Sequence, residues 1–231
     1  MKKTLSGAMA TRQALISTSL SLFGEHGYDA VSTRQIADQA AANIGSIAYH
    51  FGGKPGLRLA CAEYVVSTII DEMGDAFSKT LAPEMTPDAA TLMLEDILAT
   101  FIRSSTERPD ALEITRFIMR EMLQPGEVLV YLERELTGPL HERMCQLLSI
   151  ATGERADTCA MRALVFTLIG QTMHFKNCQA VVLHQMGWCE FGPKQAGMVI
   201  DTLKDNLRAI IAYHRAGKAM SPQKHLELLD T

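Results

Sequence analysis

Aromatic residues make up only 6% of this 231-residue chain, with one Trp, five Tyr and eight Phe. Alternating Val/Ile/Thr stretches are equally scarce, and both shortages count against strand-rich folds, which draw on those residue types. Cysteine is sparse and scattered: Cys61, Cys145, Cys159, Cys178 and Cys189 form no Cys-x-x-Cys pair. That excludes a zinc ribbon and leaves too little for a disulfide framework. No apolar run approaches the roughly 18 residues that a membrane span needs. The basic start, Met1 to Gly7, leads into no long apolar core, so a secretory signal is not expected. Catalytic signatures are missing as well: there is no Gly-x-Ser-x-Gly elbow, P-loop, dinucleotide fingerprint or His-Glu-x-x-His. The acid pairs Asp71-Glu72 and Glu95-Asp96 are adjacent on helices and point apart, which reads as solvated surface. A soluble, cytoplasmic chain that is neither an enzyme nor a cofactor carrier is the expectation.

What is present is an ordinary globular composition, 47% hydrophobic and 21% charged, long enough for one or two domains with a sizeable core. The abundance of helix formers makes an all-α fold the first reading. The net charge of −4 is unevenly spread. Residues 1–60 hold six bases (Lys2, Lys3, Arg12, Arg34, Lys54, Arg58) against three acids (Glu25, Asp29, Asp38), a balance of +3, and the remainder carries −7. A small basic front on an acidic body suits a head that binds a polyanion.

Leu15, Ile16, Ser19, Leu22 and Phe23 recur at helical spacing, and Gly27 is placed to close that helix. Ser32 and Gln35 have capping-box spacing and open a short second helix with Ile36, Ala37 and Ala40 on its inner face. Asn43 is a good N-cap for a third helix, Ile44 to His50, stopped by Gly52-Gly53, and Pro55 suits the first turn of a fourth. Longer helices follow over 55–79, 88–106, 110–123, 127–150, 155–184 and 193–216, with a kink or split expected at Gly138-Pro139. A polar tail covers 217–231. The expected division is an N-terminal domain at 9–69, with its motif at about 32–51, and a C-terminal helical bundle at 70–216.

Two short helices joined by a turn of about four residues fit a helix-turn-helix. A recognition helix must be slim and polar where it meets base edges, and Asn43, Gly45 and Ser46 satisfy that. Tyr49 and His50 at its end can reach phosphates, Lys54 adds a charge at the start of the fourth helix, and Thr33 and Arg34 can clamp the backbone or a neighbouring base. The run from Leu15-Ile16 through Leu22-Phe23, Gly27-Tyr28 and Thr33-Arg34-Gln35-Ile36-Ala37 to Tyr49-His50-Phe51-Gly52-Gly53-Lys54 resembles the N-terminal domain of TetR-family transcriptional regulators. Ala48, Gly53 and the Pro55-Gly56 pair depart from that family's usual residues. Phe117-Ile118-Met119-Arg120-Glu121, Gly138-Pro139-Leu140-His141, Leu168-Ile169-Gly170-Gln171 and Gly187-Trp188 resemble the YbiH/CecR-like branch. The resemblance implies a small-molecule-responsive repressor that binds double-stranded operator DNA, paired through its last two helices as a four-helix bundle.

For that pairing Ala163, Phe166, Thr167, Gly170, Met173 and Asn177 form one stripe, and Met198, Ile200, Leu203, Leu207, Ile210 and Ile211 form another. Phe166, Gly170, Met173, Leu203, Leu207 and Ile210 are the expected homodimer contacts; the same stripes also read as closure of the monomer core. A small organic effector is expected among Arg116, Phe117, Arg120, Glu121, Gln171, His174 and Phe175. Arg120 with Glu121 reads equally as a structural polar cluster, and Phe117 and Phe175 as core. Metal sensing is an alternative, since His141 and Cys145, and His174 and Cys178, are four apart, but neither pair has an evident third ligand and no metal site is assigned. Redox sensing by Cys61 or Cys189 and an all-helical enzyme are the remaining alternatives.

Overall fold

The computed structural model describes residues 7–74, 77 and 81–216, and its regular structure there is helical throughout. In chain order the helices are α1 (Gly7–His26), α2 (Thr33–Gln39), α3 (Gly45–Phe51), α4 (Lys54–Met73), α5 (Pro87–Glu107), α6 (Ala111–Met122), α7 (Glu127–Leu132), α8 (Gly138–Thr152), α9 (Cys159–Asn177), α10 (Gln179–Met186) and α11 (Pro193–Ala216). The tail at 217–231, Lys2 and Lys3, and the part of the expected 55–79 helix at 75, 76 and 78–79 lie outside the described residues.

Two compact units divide the chain: residues 1–74 with 107–139, and 75–106 with 140–231. This differs from the expected boundary near residue 69, because α6 packs on α1 and α7 packs on α4. The first unit is thus the helix-turn-helix with two later helices added to it.

In the first unit α1 is the central support. Its Leu15, Ile16, Leu20, Leu22 and Phe23 are buried, and it touches α2, α3, α4 and α6. Gly24 permits the contact with α6: a Cβ there would lie 3.0 Å from Arg116 Cβ and 3.2 Å from the Phe117 backbone nitrogen. On α4, Leu57, Cys61, Val65 and Val66 face inward. That helix ends at Met73, short of the expected residue 79, with Gly74 at φ 49°. Polar clamps reinforce the packing. Tyr64 donates to Asp110 Oδ2 at 2.8 Å, and Arg108 grips the same carboxylate at 2.9 Å from Nε and Nη2 while reaching Glu72 at 3.2 Å. Burial pushes the Asp110 carboxyl up, but the Arg108 and Tyr64 hydrogen bonds outweigh it and hold the group below its ordinary range.

The second unit is a helical bundle. Leu94, Ile97, Leu98 and Ile102 of α5, Met144, Leu147 and Leu148 of α8, Val165 and Leu168 of α9, and Leu203 and Leu207 of α11 are all buried. Glu95, 4% exposed, accepts from Arg208 Nε at 2.7 Å and Nη2 at 3.1 Å, which ties α5 to α11.

Two helix breaks take forms that the spacing did not give. At Gly138-Pro139 the interruption is a π-helical turn, Glu133–Thr137, between α7 and α8, with the Gly138 N–H bonded to the Glu133 carbonyl. The wider turn accommodates a proline that a regular α-helix would reject. Conversely, the helix expected over 155–184 breaks at Cys178 (φ −111°, ψ 31°). No Pro or Gly marks that break, only the weak helix formers Asn177 and Cys178.

Candidate nucleic-acid interface

The helix-turn-helix is built by local capping. Ser32 Oγ accepts the Gln35 N–H at 3.1 Å and starts α2. The α2 exit folds back with the Ala42 N–H on the Ala37 carbonyl at 2.9 Å and the Ala41 N–H on the Asp38 carbonyl at 3.2 Å. This is a Schellman-type turn with Ala41 in the left-handed region at φ 49°. Asn43 Oδ1 then accepts the Gly45 N–H at 2.8 Å and starts α3. Buried Ile36, Ala37 and Ile47 seat both short helices on the core.

The opposite face is open. Arg34, Asn43 and Gly45 are exposed, Thr33, Ser46, His50 and Lys54 are half-buried, and Tyr49 is 83% exposed. The expected DNA-contact set therefore falls on or beside α2, α3 and the start of α4, with solvent access along α3. His50 is held by its neighbours, with the Tyr49 ring at 4.9 Å edge-on and the Phe51 ring at 5.9 Å. The Arg12 guanidinium lies over the Phe51 ring at 5.4 Å.

Gly53, which departs from the family's usual cap residue, takes φ 130°, a conformation closed to side-chain-bearing residues without strain. Gly56 is equally constrained, since a Cβ there would collide with the Phe51 carbonyl oxygen, which is backbone and cannot swing aside. Gly56→Ala is expected to cost about 1–3 kcal/mol by overpacking the α3–α4 junction. Thermal unfolding of the variant measures it; an unchanged melting temperature would contradict that junction.

Two residues of this face were missed in the sequence. Tyr28 carries two cations over its ring, Lys54 Nζ at 4.1 Å from the centroid and Arg58 Cζ at 4.4 Å. The Lys54 ammonium is held below its ordinary pKa, first by burial and further by Arg58, against the pull of Asp29. The i, i+4 spacing of Lys54 and Arg58 was the available signal, for it sets both on one side of α4. Arg58 in turn forms a forked ion pair with Glu121, at 2.9 Å from Nε and 2.7 Å from Nη2.

The residues expected around an effector are distributed over both units. Arg116, Phe117, Arg120 and Glu121 belong to the first, and Gln171, His174 and Phe175 to the second. Phe117 is 1% exposed and sits in the core. Arg120 donates to the Gly24 and Glu25 carbonyls at 2.7 Å each, satisfying orphan acceptors at the end of α1. Glu121 is buried against Arg58, and the Arg116 Cβ packs over Gly24. A polar cleft of about 190 Å³ borders these groups, lined by His26, Tyr28, Asp29, Arg58, Arg120 and Gln124 among others. In the second unit Gln171 accepts from Asn206 at 3.1 Å. His174 is exposed, and Phe175 packs with Leu183, Trp188 and Ile200 against a cluster of Ile102, Phe191, Ala196, Val199 and Leu203.

The expected dimer set divides in two. Phe166 is 66% exposed, Gly170 is exposed, and Met173 and Ile210 are half-buried. Leu203 and Leu207 are corrected: at 3% and 0% exposed they belong to the core of the single chain. Apolar periodicity marks the buried stripe of a helix, and α11 spends that stripe within the monomer.

His141 and Cys145 lie close, Nδ1 to Sγ at 3.8 Å, while Nε2 is 3.1 Å from the Arg162 carbonyl. Among the described residues no group of three or more His, Cys, Asp or Glu side chains converges on a point. Cys61 is fully buried, its thiol 3.7 Å from the Ile16 carbonyl, and burial together with the nearby Glu121 charge pushes its pKa far up. A reactive thiolate there is disfavoured. Among the described residues no helix is long and apolar enough to cross a membrane.

Comparison with known proteins agrees with this geometry. Residues 15–61 match the bacterial regulatory proteins of the tetR family, and residues 90–213 match the C-terminal domain of the HTH-type transcriptional dual regulator CecR. The CecR protein of Shigella flexneri is 30% identical over 216 residues, covering 90% of this chain and 94% of that one. A TetR-like regulator from Rhodococcus sp. RHA1 shares the fold with a TM-score of 0.63 at 17% identity, covering 90% of this chain and 96% of that one. The SmeT–triclosan complex does so with a TM-score of 0.58 at 17% identity, over 85% and 91%. These sequence relatives are transcriptional regulators and not enzymes. A helix-turn-helix with an open recognition face, joined to a matching C-terminal domain, places the chain in the TetR family of bacterial transcriptional regulators, in the branch with a CecR-type C-terminal domain.

Proposed function

We propose that this chain is a repressor that binds an inverted-repeat operator as a homodimer and is released by a small organic effector. The observation that carries the DNA-reading half is the exposed face of α3. Small or hydrogen-bonding residues at 43, 45 and 46 leave room for base edges, and Tyr49, 83% exposed with its ring edge-on to His50, is open to a phosphate. Thr33, Arg34, His50 and Lys54 flank that face as phosphate contacts.

The homodimer reading rests on α9. Ala163, Phe166, Thr167, Gly170 and Asn177 are exposed at helical spacing, and a Cβ added at Gly170 would meet open space. Met198 and Tyr213 of α11, 50% and 74% exposed, are apolar surface on the neighbouring helix. Two recognition helices on one dimer fit half-sites about one turn, roughly 34 Å, apart.

The effector is assigned to the second unit, where Phe175 and Trp188 are half-buried and Gln171 and His174 lie on α9 with Phe175. The SmeT relative is a complex with triclosan, a small organic molecule, which is in keeping with that ligand class.

Lys54→Ala tests the DNA reading. Loss of one phosphate contact per subunit is expected to weaken every duplex sequence alike and to lower the salt slope of log K by about one for each subunit. An unchanged slope would remove Lys54 from the interface. Release is tested by titrating candidate ligands against free and DNA-bound protein. A true effector binds the DNA-bound form more weakly, by the factor with which it weakens DNA binding.

A further inference from the structure

We propose that Glu121 on α6 is a positioning residue for DNA binding, fixing the Lys54 ammonium at the DNA face through Arg58 and Tyr28. The inference rests on the reading of Lys54 as a phosphate contact.

The path is continuous and each step is short. Glu121 is 4% exposed in its side chain and holds Arg58 by two charge-assisted hydrogen bonds at 2.9 and 2.7 Å. A forked pair of this kind fixes the guanidinium plane as well as its position. Arg58 and Lys54 both stand over the Tyr28 ring, at 4.4 and 4.1 Å from its centroid. Two cations on one ring repel each other, so the arrangement needs a compensating charge. Glu121 supplies it to Arg58, and Asp29 raises the proton affinity of Lys54. Without the Glu121 carboxylate, Arg58 is free to move toward solvent or toward Lys54, and the ammonium loses its fixed seat.

Arg120, the preceding residue, secures the backbone that leads to the same ring. It donates to the Gly24 and Glu25 carbonyls at 2.7 Å, just before the chain turns at Gly27 to deliver Tyr28. Two consecutive residues of α6 therefore set the position of Tyr28 and the charge balance above it. The polar pair that sequence spacing placed in an effector pocket instead reports the position of α6 to the DNA face.

A double-mutant cycle between Glu121→Gln and Lys54→Ala tests the relay, using the full chain and a mixed-sequence DNA duplex, since a phosphate contact is independent of sequence. Binding is followed by fluorescence anisotropy over a salt series. Glu121→Gln is expected to weaken binding and lower the salt slope as Lys54→Ala does, and to add nothing once Lys54 is absent. Additive effects, or a Glu121→Gln slope equal to that of the parent, overturn the relay alone. No effect of Lys54→Ala overturns the Lys54 reading and the relay with it. If Glu121→Gln melts below the assay temperature, Arg58→Lys replaces it in the cycle. That variant keeps a cation on α4 but cannot make the forked pair, and the same coupling with Lys54 is expected.

Discussion

Phe117→Ala is expected to lower the stability of the first unit by about 3–5 kcal/mol, the usual cost of emptying a buried phenylalanine site. The side chain is 1% exposed, and its backbone nitrogen stands 3.2 Å from where a Cβ at Gly24 would be. Helices α1 and α6 meet there backbone to side chain, so neither can move in to fill the space without displacing the other. The resulting cavity undermines the helix that supports α2 and α3, and DNA binding should fall with stability. Urea unfolding followed by circular dichroism gives the stability loss. A side chain lining an open cavity leaves no new void in packed core when truncated, so a loss well below that range would mark such a position. That result, with altered ligand affinity, would restore Phe117 to the effector pocket.

What could be read from the sequence was what is encoded locally. Ser32, Asn43 and Gly52 punctuate α2 and α3, and each acts within four residues of its own position. The inner faces followed from three- and four-residue spacing, which depends only on helix geometry. The contacts of α6 were hidden because their partners are remote. Arg120 meets Gly24 across 96 positions and Glu121 meets Arg58 across 63, and no periodicity connects such pairs. Gly24 illustrates the same limit. Near the end of α1 it offers no side chain for spacing to place, and its role is set by the approach of α6. Ala41 occupies a left-handed turn position that glycine usually announces, so the turn was legible only from its length.

Helices α9 and α11 show why a correct stripe can lead to a wrong surface. An apolar face identified by spacing is buried first by the subunit's own core, as Leu203, Leu207 and Ile211 are. A subunit interface must come from what is left over, and on α9 the leftover face is rich in small residues that let helices approach closely. A charge at Leu207 would therefore unfold the subunit and say nothing about pairing. Phe166→Glu is the better probe. Phe166 is 66% exposed and its main ring neighbour is His141 at 4.3 Å, so the isolated subunit should tolerate the change to within about 0.5 kcal/mol. In a two-fold assembly the substitution enters twice, placing a desolvated charge on each partner. The dimer is expected to dissociate, seen as halved mass in sedimentation at micromolar concentration. Operator affinity should fall by about 10²–10⁴-fold as the linkage of two heads is lost, while the melting of each subunit's helices changes little. A Phe166→Glu protein that remains dimeric and retains operator affinity would move the pairing surface off this face of α9.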